Sequence, residues 1–317
     1  MEKRIMCISY NGAHKIHKEW FNSVGNHLNF QMPEGNKIQN LHQYLANSSE
    51  IPGETDLIIC EDHFSIRTGL AYKVLNPRTK VIRLVADEGY YKCISGKKYP
   101  FEEILFHRFL DGAIAVSPLA KLWAQKFVNG PINVVRPYIP DLNNLLNLEK
   151  EPQNRKEVLF IGYNNPNKNI GSLVEAVRKV KDLRLNIVGK GHKEYEEEFI
   201  KTYGYVEDIK NHLSRSDIYV QPSEGDTYPV ASLEAMAASI PTIVTESCGT
   251  KEIVESVDSK LVSGEDSKSI AASLKYVLGL EGKNRETLAL EFRQKAEKLD
   301  RKSSIDSFNE AMKEWVR

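Results

Sequence analysis

Residues 216–255, SDIYVQPSEGDTYPVASLEAMAASIPTIVTESCGTKEIVE, concentrate side chains suited to a hydroxyl-rich anionic ligand. Their order reads strand, loop, helix, strand, Gly turn, helix, so loop 221–231 lies beyond a strand's carboxyl end. A helix opening near Ser232 would aim its N-terminal amides into the same space, where an anion is favoured. Asp226 on the loop and Glu234 in the helix can face one pocket. Ionised carboxylates suit sugar and ribose hydroxyls, which need charged acceptors at fixed angles. Taken alone, the pair reads as two solvated acids near a helix start, and the surrounding pattern has to decide. In the first half, Gly12 in YNGAH permits close backbone approach after a strand. His63 in CEDHF, and Asp87 with Glu88 in VADEGYY, follow further strands at the ends where ligands bind. His14 and His17 lack a third metal ligand and read as surface residues.

The elements that must hold these residues are short apolar segments alternating with helical patterns. RIMCISY, DLIIC, KVIRLVA, GAIAVS and INVV occupy the first half; EVLFIG, RLNIVG, DIYVQP, IPTIVT and KLV the second. Each has the length of a buried parallel strand, with room for a crossover helix between neighbours. The fold class is therefore α/β: two doubly wound, Rossmann-like domains facing a cleft, as a 317-residue chain allows. The Asn- and charge-rich stretch 141–156 reads as the linker, which divides the chain into domains 1–145 and 146–317. In the final segment Ile305, Phe308, Met312 and Trp315 recur at helical spacing behind Ser303 and Ser304 as cap candidates, giving a docked helix near the domain junction.

A composition of 41% hydrophobic and 27% charged residues excludes disorder and fibrous folds. No apolar run reaches the ~18 residues that span a bilayer, and MEKRIMCISYNG enters a strand without a signal-peptide core, so a cytoplasmic location is expected. Cys7, Cys60, Cys93 and Cys248 are isolated thiols without metal or disulfide spacing. Residues 1–140 carry 17 Lys+Arg against 13 Asp+Glu, leaving 26 against 30 beyond, so the halves are +4 and −4. That asymmetry would favour an anionic acceptor or a lipid headgroup on the first half, with peripheral contact at the inner face of the membrane; nucleic acid is not indicated.

The string PSEGDTYPVASLEAMA resembles the hallmark of glycosyltransferase family 4, retaining enzymes of GT-B fold, in which two Glu residues flank seven others before Ala-Met-Ala. Asp226 stands at the first Glu and Glu234 at the second, which implies that Asp226 faces the donor sugar and Glu234 the ribose. The likeness extends over residues 157–280. VLFIGYNNPNKNIG places Lys168 at the lysine that contacts the donor diphosphate; Gly189 and Gly191 fill the Gly-x-Gly turn; Tyr205 and Val206 border the base. Tyr228, Pro229 and Val230 belong to the donor-facing loop, and SCGTKEIVE offers Gly249 and Thr250 to phosphate oxygens, with Cys248 in place of a common glycine. Gly12 lies where the family has a glycine loop near donor and acceptor, and Asp87 stands where many members carry a functional His. Arg136-Pro137 matches the turn closing the first domain only loosely.

The resemblance implies transfer of a hexose-type sugar from a UDP- or GDP-sugar to a glycan or lipid-linked acceptor, with retention and without metal or other cofactor, since the chain has no Asp-x-Asp. A GT-B epimerase shares the donor pattern and would need His63, Asp87 or Glu88 as acid and base, and a non-catalytic nucleotide-sugar-binding protein is the third reading. One departure stands out: Tyr163 follows Gly162 where the family carries Arg. Either Lys190 and Lys251 supply the missing charge, or both are solvated and Tyr163 itself bonds a phosphate oxygen.

Overall fold

The computed structural model describes residues 4–32, 37–97, 105–151 and 156–315. It forms two compact units, residues 1–138 with 301–317 and residues 139–300, each built on its own parallel sheet.

The first unit orders its strands β2-β1-β3-β4-β5-β6, with β1 Ile5–Tyr10, β2 Asn26–Phe30, β3 Leu57–Cys60, β4 Lys80–Val85, β5 Gly112–Ala115 and β6 Ile132–Val134. Strands β3, β4 and β5 are buried almost throughout, as continuous Val/Ile/Leu/Ala runs covered on both faces should be. Strand β2, sequence NHLNF, escapes the apolar-run criterion because it is a polar edge strand with only Phe30 buried. Crossovers run from β1 to β2 in one direction and from β3 to β4 in the other, so their helices, Lys15–Val24 and His63–Leu75, cover opposite faces.

The final helix, Arg301–Lys313, packs on this first unit, not on the second-half domain with which sequence order grouped it. Phe308 stacks on Trp20 at 5.2 Å, both fully buried, and Trp315 lies against Gly112, where a Cβ would stand 2.0 Å from the indole. Ser304 is no cap: it is buried, accepts from Trp20 Nε1 at 3.0 Å and donates to the Arg136 carbonyl at 2.8 Å.

The second unit orders β12-β11-β10-β7-β8-β9, with β7 Glu157–Ile161, β8 Arg184–Val188, β9 Ile200–Thr202, β10 Ile218–Gln221, β11 Thr242–Thr245 and β12 Val262–Ser263. Strand β9, three residues at the sheet edge, also lacks an apolar run. The stretch expected as linker is structured where described: Leu142–Leu146 is helical with Leu142 and Leu145 buried, and Lys150 donates to the Leu213 and Ser216 carbonyls at 2.6 and 3.0 Å. Residues 152–155 of that stretch lie outside the described residues.

Candidate functional site

Parallel register puts the carboxyl ends of β7, β8, β10 and β11 on one side of the second unit, and the singled-out residues gather there. Three loops run side by side: Gly162 N–H donates to Val188 O at 2.9 Å, Asn164 N–H to Lys190 O at 2.9 Å, and Gly189 N–H to Gly204 O at 2.7 Å. Gly189 has φ +139°, and a Cβ there would meet Gly162 O at 1.8 Å, so only glycine lets these loops close. The closure brings Tyr163, Lys190 and Tyr205 into neighbouring loops; both tyrosines are exposed, and Lys190 Nζ lies 5.6 Å from the Tyr205 ring centroid.

After β7 the chain makes a short turn, Pro166–Lys168, and Asn169 takes the left-handed conformation at φ 52° before helix Ile170–Arg178. The turn presents Lys168 Nζ to Asp226 Oδ2 at 2.5 Å. Loop 224–226 is pinned on both flanks: Glu224 N–H donates to Asn167 O at 2.7 Å, Asp226 N–H to Ser247 O at 3.1 Å, and Gly249 N–H to Asp226 O at 2.7 Å. Lysine and carboxylate, 58 residues apart, are therefore held by backbone bonds rather than by chance contact.

Glu234 projects from helix Val230–Ala237 into a cavity of about 250 Å³ lined also by Asp141, Leu145, Ile161, Glu207, Asp208, Ile209 and Lys210. Burial, and secondarily the Asp141 charge, push its carboxyl up to about 7. Lys210 Nζ is drawn to Asp141 at 3.4 Å and Asp208 at 3.6 Å. The Glu234 carboxylate meets no protein hydrogen-bond donor among the described residues, leaving its lone pairs for a ligand. Buried Tyr219 feels Glu234 and Asp226 together: burial first, then both carboxylates, raise its phenol well above the ordinary value.

Other expected contacts are differently disposed. The helix after the loop opens at Val230, two residues before Ser232, with no side-chain cap, so its first amides lack intrahelical acceptors. Tyr228 and Pro229 are buried beneath it, while Val206 and Lys251 are half-buried. Gly249 does not hold its amide free, since Asp226 O takes it, and the buried Thr250 hydroxyl sits 3.0 Å from Ser232 Oγ. Cys248, at the position of a common glycine, is fully buried, and burial pushes its thiol up to about 12.

In the first unit Asn11 and Gly12 both take positive φ, 59° and 92°, and Gly12 N–H donates to Asn29 Oδ1 at 2.6 Å. Asp87 accepts from Gly89 N–H at 2.8 Å and pairs with Arg83, a fully buried arginine. Burial raises its carboxyl, but the Arg83 charge outweighs it and holds Asp87 below the usual carboxylate range. Glu88 pairs with Lys92 at 2.8 Å, and the His63 ring lies 3.9 Å from that of Phe64. His17 is not a surface residue: it is buried, 2.6 Å from Glu61 and stacked on Trp20, while His14 is exposed. Among the described residues no three potential ligands gather as a metal site.

Sequence reasoning missed Asp141, Lys210, Arg83 and Glu61. Only Glu61 carried a signal, its place directly after the DLIIC strand.

Residues 155–279 match the family model described as glycosyl transferases group 1. Amylovoran biosynthesis glycosyltransferase AmsK of Erwinia amylovora is 29% identical over 185 residues, 50% of this chain and 46% of that protein, so the chain spans about half the length of this curated relative. Sucrose-phosphate synthase of Thermosynechococcus elongatus superposes with TM-score 0.76 at 15% identity over 99% of both chains. HepE of Anabaena, solved with UDP and glucose, gives 0.75 at 15% identity over 98% of this chain and 100% of that one. Two six-stranded parallel sheets in this order are the GT-B architecture, and within it residues 155–279 are similar to the glycosyl transferases of group 1.

Proposed function

We propose that the protein is a retaining, metal-independent glycosyltransferase of the family-4 type, moving a hexose from a UDP- or GDP-sugar to a glycan or lipid-linked acceptor. One observation carries the reading: a half-buried carboxylate, Glu234, faces a cavity at the strand ends with no protein donor among the described residues, beside a lysine–carboxylate pair that backbone bonds hold in place. Glu234 accepts the ribose hydroxyls. Lys168 leaves Asp226 for the diphosphate, stabilising the departing charge, and Asp226 is released to a donor-sugar hydroxyl. The uncapped start of helix Val230–Ala237 adds positive potential at the same place. Tyr163, Gly189, Tyr205, Val206, Tyr228 and Pro229 shape the donor site; Gly249 and Thr250 support it through the bonds that pin loop 224–226 and join it to helix Val230–Ala237. The first unit, with Gly12, His63 and Asp87, takes the acceptor. HepE, solved with UDP and glucose, supports a uridine donor.

An epimerase needs a group that gives and takes protons, and Asp87, paired with Arg83 and held ionised, is poorly placed for that cycle. A thermal-shift panel of nucleotide sugars identifies the donor, because a ligand bound only by the folded state raises stability as ln(1+[L]/Kd). Product analysis with that donor then tests transfer. Glu234→Ala should weaken free nucleotide binding, whereas Asp226→Ala should chiefly lower kcat. Equal loss of nucleotide affinity in both variants, by calorimetry, overturns the assignment.

A further inference from the structure

Loop 162–164 and turn 189–192 are clasped by side chains as well as by their backbones. Asn164 Nδ2 donates to Gly191 O at 2.6 Å and to Glu194 Oε1 at 3.1 Å. From the turn, His192 reaches back to the Gly162 carbonyl, with Nε2 2.8 Å from the oxygen. A carbonyl only accepts, so Nε2 carries the proton and donates. His192 is 1% exposed and packs edge-on to Phe160, ring centroids 5.9 Å apart. Its Nδ1 is buried with no hydrogen-bond partner among the described residues. An orphaned buried acceptor costs stability that an apolar side chain of similar volume would avoid. What a histidine adds at this position is the bond to Gly162.

That bond sets the direction of the next amide. The peptide between Gly162 and Tyr163 is trans, so its C=O and N–H point to opposite sides. The carbonyl is turned inward to the buried histidine, and the Tyr163 N–H is turned away from it, in a loop whose Tyr163 side chain is 59% exposed. Among the described residues no atom accepts from this N–H, although the amides on either side, of Gly162 and Asn164, are taken by Val188 O and Lys190 O. A loop that engages the flanking amides and leaves the middle one open, beyond the carboxyl end of a central parallel strand, holds a donor for an anion. The same loop leads on to Lys168, the cation assigned to the diphosphate. We infer that His192 is a positioning residue: it locks the Gly162–Tyr163 peptide so that the Tyr163 N–H donates to a phosphate oxygen of the nucleoside diphosphate. This role rests on the donor reading above and adds to it one backbone donor and the side chain that aims it. His192 itself, buried behind the loop, does not touch the ligand.

Selective ¹⁵N-tyrosine labelling of the full chain reads that amide directly, its resonance being the one lost in Tyr163→Phe. On saturation with UDP the Tyr163 amide proton should move downfield and exchange more slowly, as a new charge-assisted bond requires. GDP and guanosine stand in for UDP and uridine throughout if the donor panel selects guanosine. His192→Ala should abolish the shift and lower UDP affinity about tenfold by calorimetry, while affinity for uridine, which lacks the phosphates, stays within about twofold. His192→Gln, whose amide places an N–H near the position of Nε2, should restore the shift and most of the UDP affinity. Loss of UDP and uridine affinity by the same factor in His192→Ala, unrestored by Gln, would mark a side chain that only supports the fold and overturns the inference. So does a Tyr163 amide indifferent to UDP in a wild-type protein that binds it, a measurement that decides the point even where His192→Ala does not fold. Wild type that binds neither UDP nor GDP overturns the donor reading itself, and the positioning role with it.

Discussion

Replacing Glu234 by Gln should make the protein more stable and a poorer nucleotide binder, with both effects following pH. Burial, and next the Asp141 charge, raise this carboxyl from 4.5 to about 7. A carboxyl raised on folding costs nothing while both states are protonated, and the cost grows as pH rises from the unfolded toward the folded value. Each pH unit climbed between those two values adds about 1.36 kcal/mol, so the cost is only about 1 kcal/mol at pH 5 and reaches about 3 kcal/mol at pH 8. The amide retains the volume without the charge. For a unit of this size Glu234→Gln should therefore raise Tm by roughly 6–12 °C at pH 8 and by only about 2–4 °C at pH 5. Nucleotide affinity should move oppositely, because ribose hydroxyls need the ionised acceptor. In wild type the apparent Kd for UDP should rise roughly thirtyfold between pH 8 and pH 5.5, about 2 kcal/mol for 1.5 pH units below the folded value. In Glu234→Gln it should be weak and flat. Scanning calorimetry for Tm and titration calorimetry for UDP read both curves. A stabilisation by Gln that does not change with pH would refute the buried-carboxylate argument, and wild-type affinity independent of pH would remove Glu234 from the ribose.

Lys168→Ala should nearly abolish transfer, at least about a hundredfold in kcat/KM, by removing the cation opposite the leaving group; near-wild-type kinetics would eliminate the phosphate site. Turnover should survive excess EDTA, and loss restored by Mg²⁺ or Mn²⁺ would show that Lys168 and the helix terminus do not suffice. Gly189→Ala should destabilise the second unit by more than about 2 kcal/mol, because φ +139° and the 1.8 Å approach to Gly162 O both exclude a Cβ, and an unchanged Tm would contradict it. Ser304→Ala should cost about 1–3 kcal/mol, since Trp20 Nε1 loses its buried acceptor, as denaturant melts followed by Trp fluorescence can measure.

What was legible in the sequence follows from how locally it is encoded. Ten strands announced themselves as continuous apolar runs because both faces of a parallel sheet are covered. The two missed, β2 and β9, are edges, where one side meets solvent and NHLNF suffices. The last helix was readable from Ile305, Phe308, Met312 and Trp315, but its host was not. Which sheet buries an apolar stripe depends on complementary partners, here Trp20 and Gly112, more than a hundred residues upstream. Ser304 shows the same gap: its type fits a cap, and only the positions of Trp20 and Arg136 make it a buried relay.

The site divides along the same line. That Lys168, Asp226 and Glu234 would gather beyond the strand ends was legible from their types and loop positions. Their protonation and pairing were not, since these are set by groups from separate segments. Asp141 comes from a stretch that composition marks as linker, yet buried Leu142 and Leu145 dock it against helix Val230–Ala237, where its charge adds to the burial that raises Glu234. Gly249 reads as a phosphate donor by its place in a Gly turn, but the bridge between Asp226 and Cys248 already takes that amide and thereby fixes the Asp226 backbone. In the proposed transfer the leaving-group charge would then fall more heavily on Lys168 and on the uncapped helix start than the motif alone implies. Tyr163, where the resemblance implies an arginine, sharpens that demand, and Lys190, in the adjoining loop and 5.6 Å from the Tyr205 ring, is our candidate to meet it. Lys190→Ala should therefore lower kcat/KM at least about tenfold, or 1.4 kcal/mol, while Lys251→Ala, in the turn whose Gly249 amide is already engaged by Asp226 O, should lower it less. The reverse order in steady-state kinetics would return the missing charge to Lys251 and refute the loop assignment.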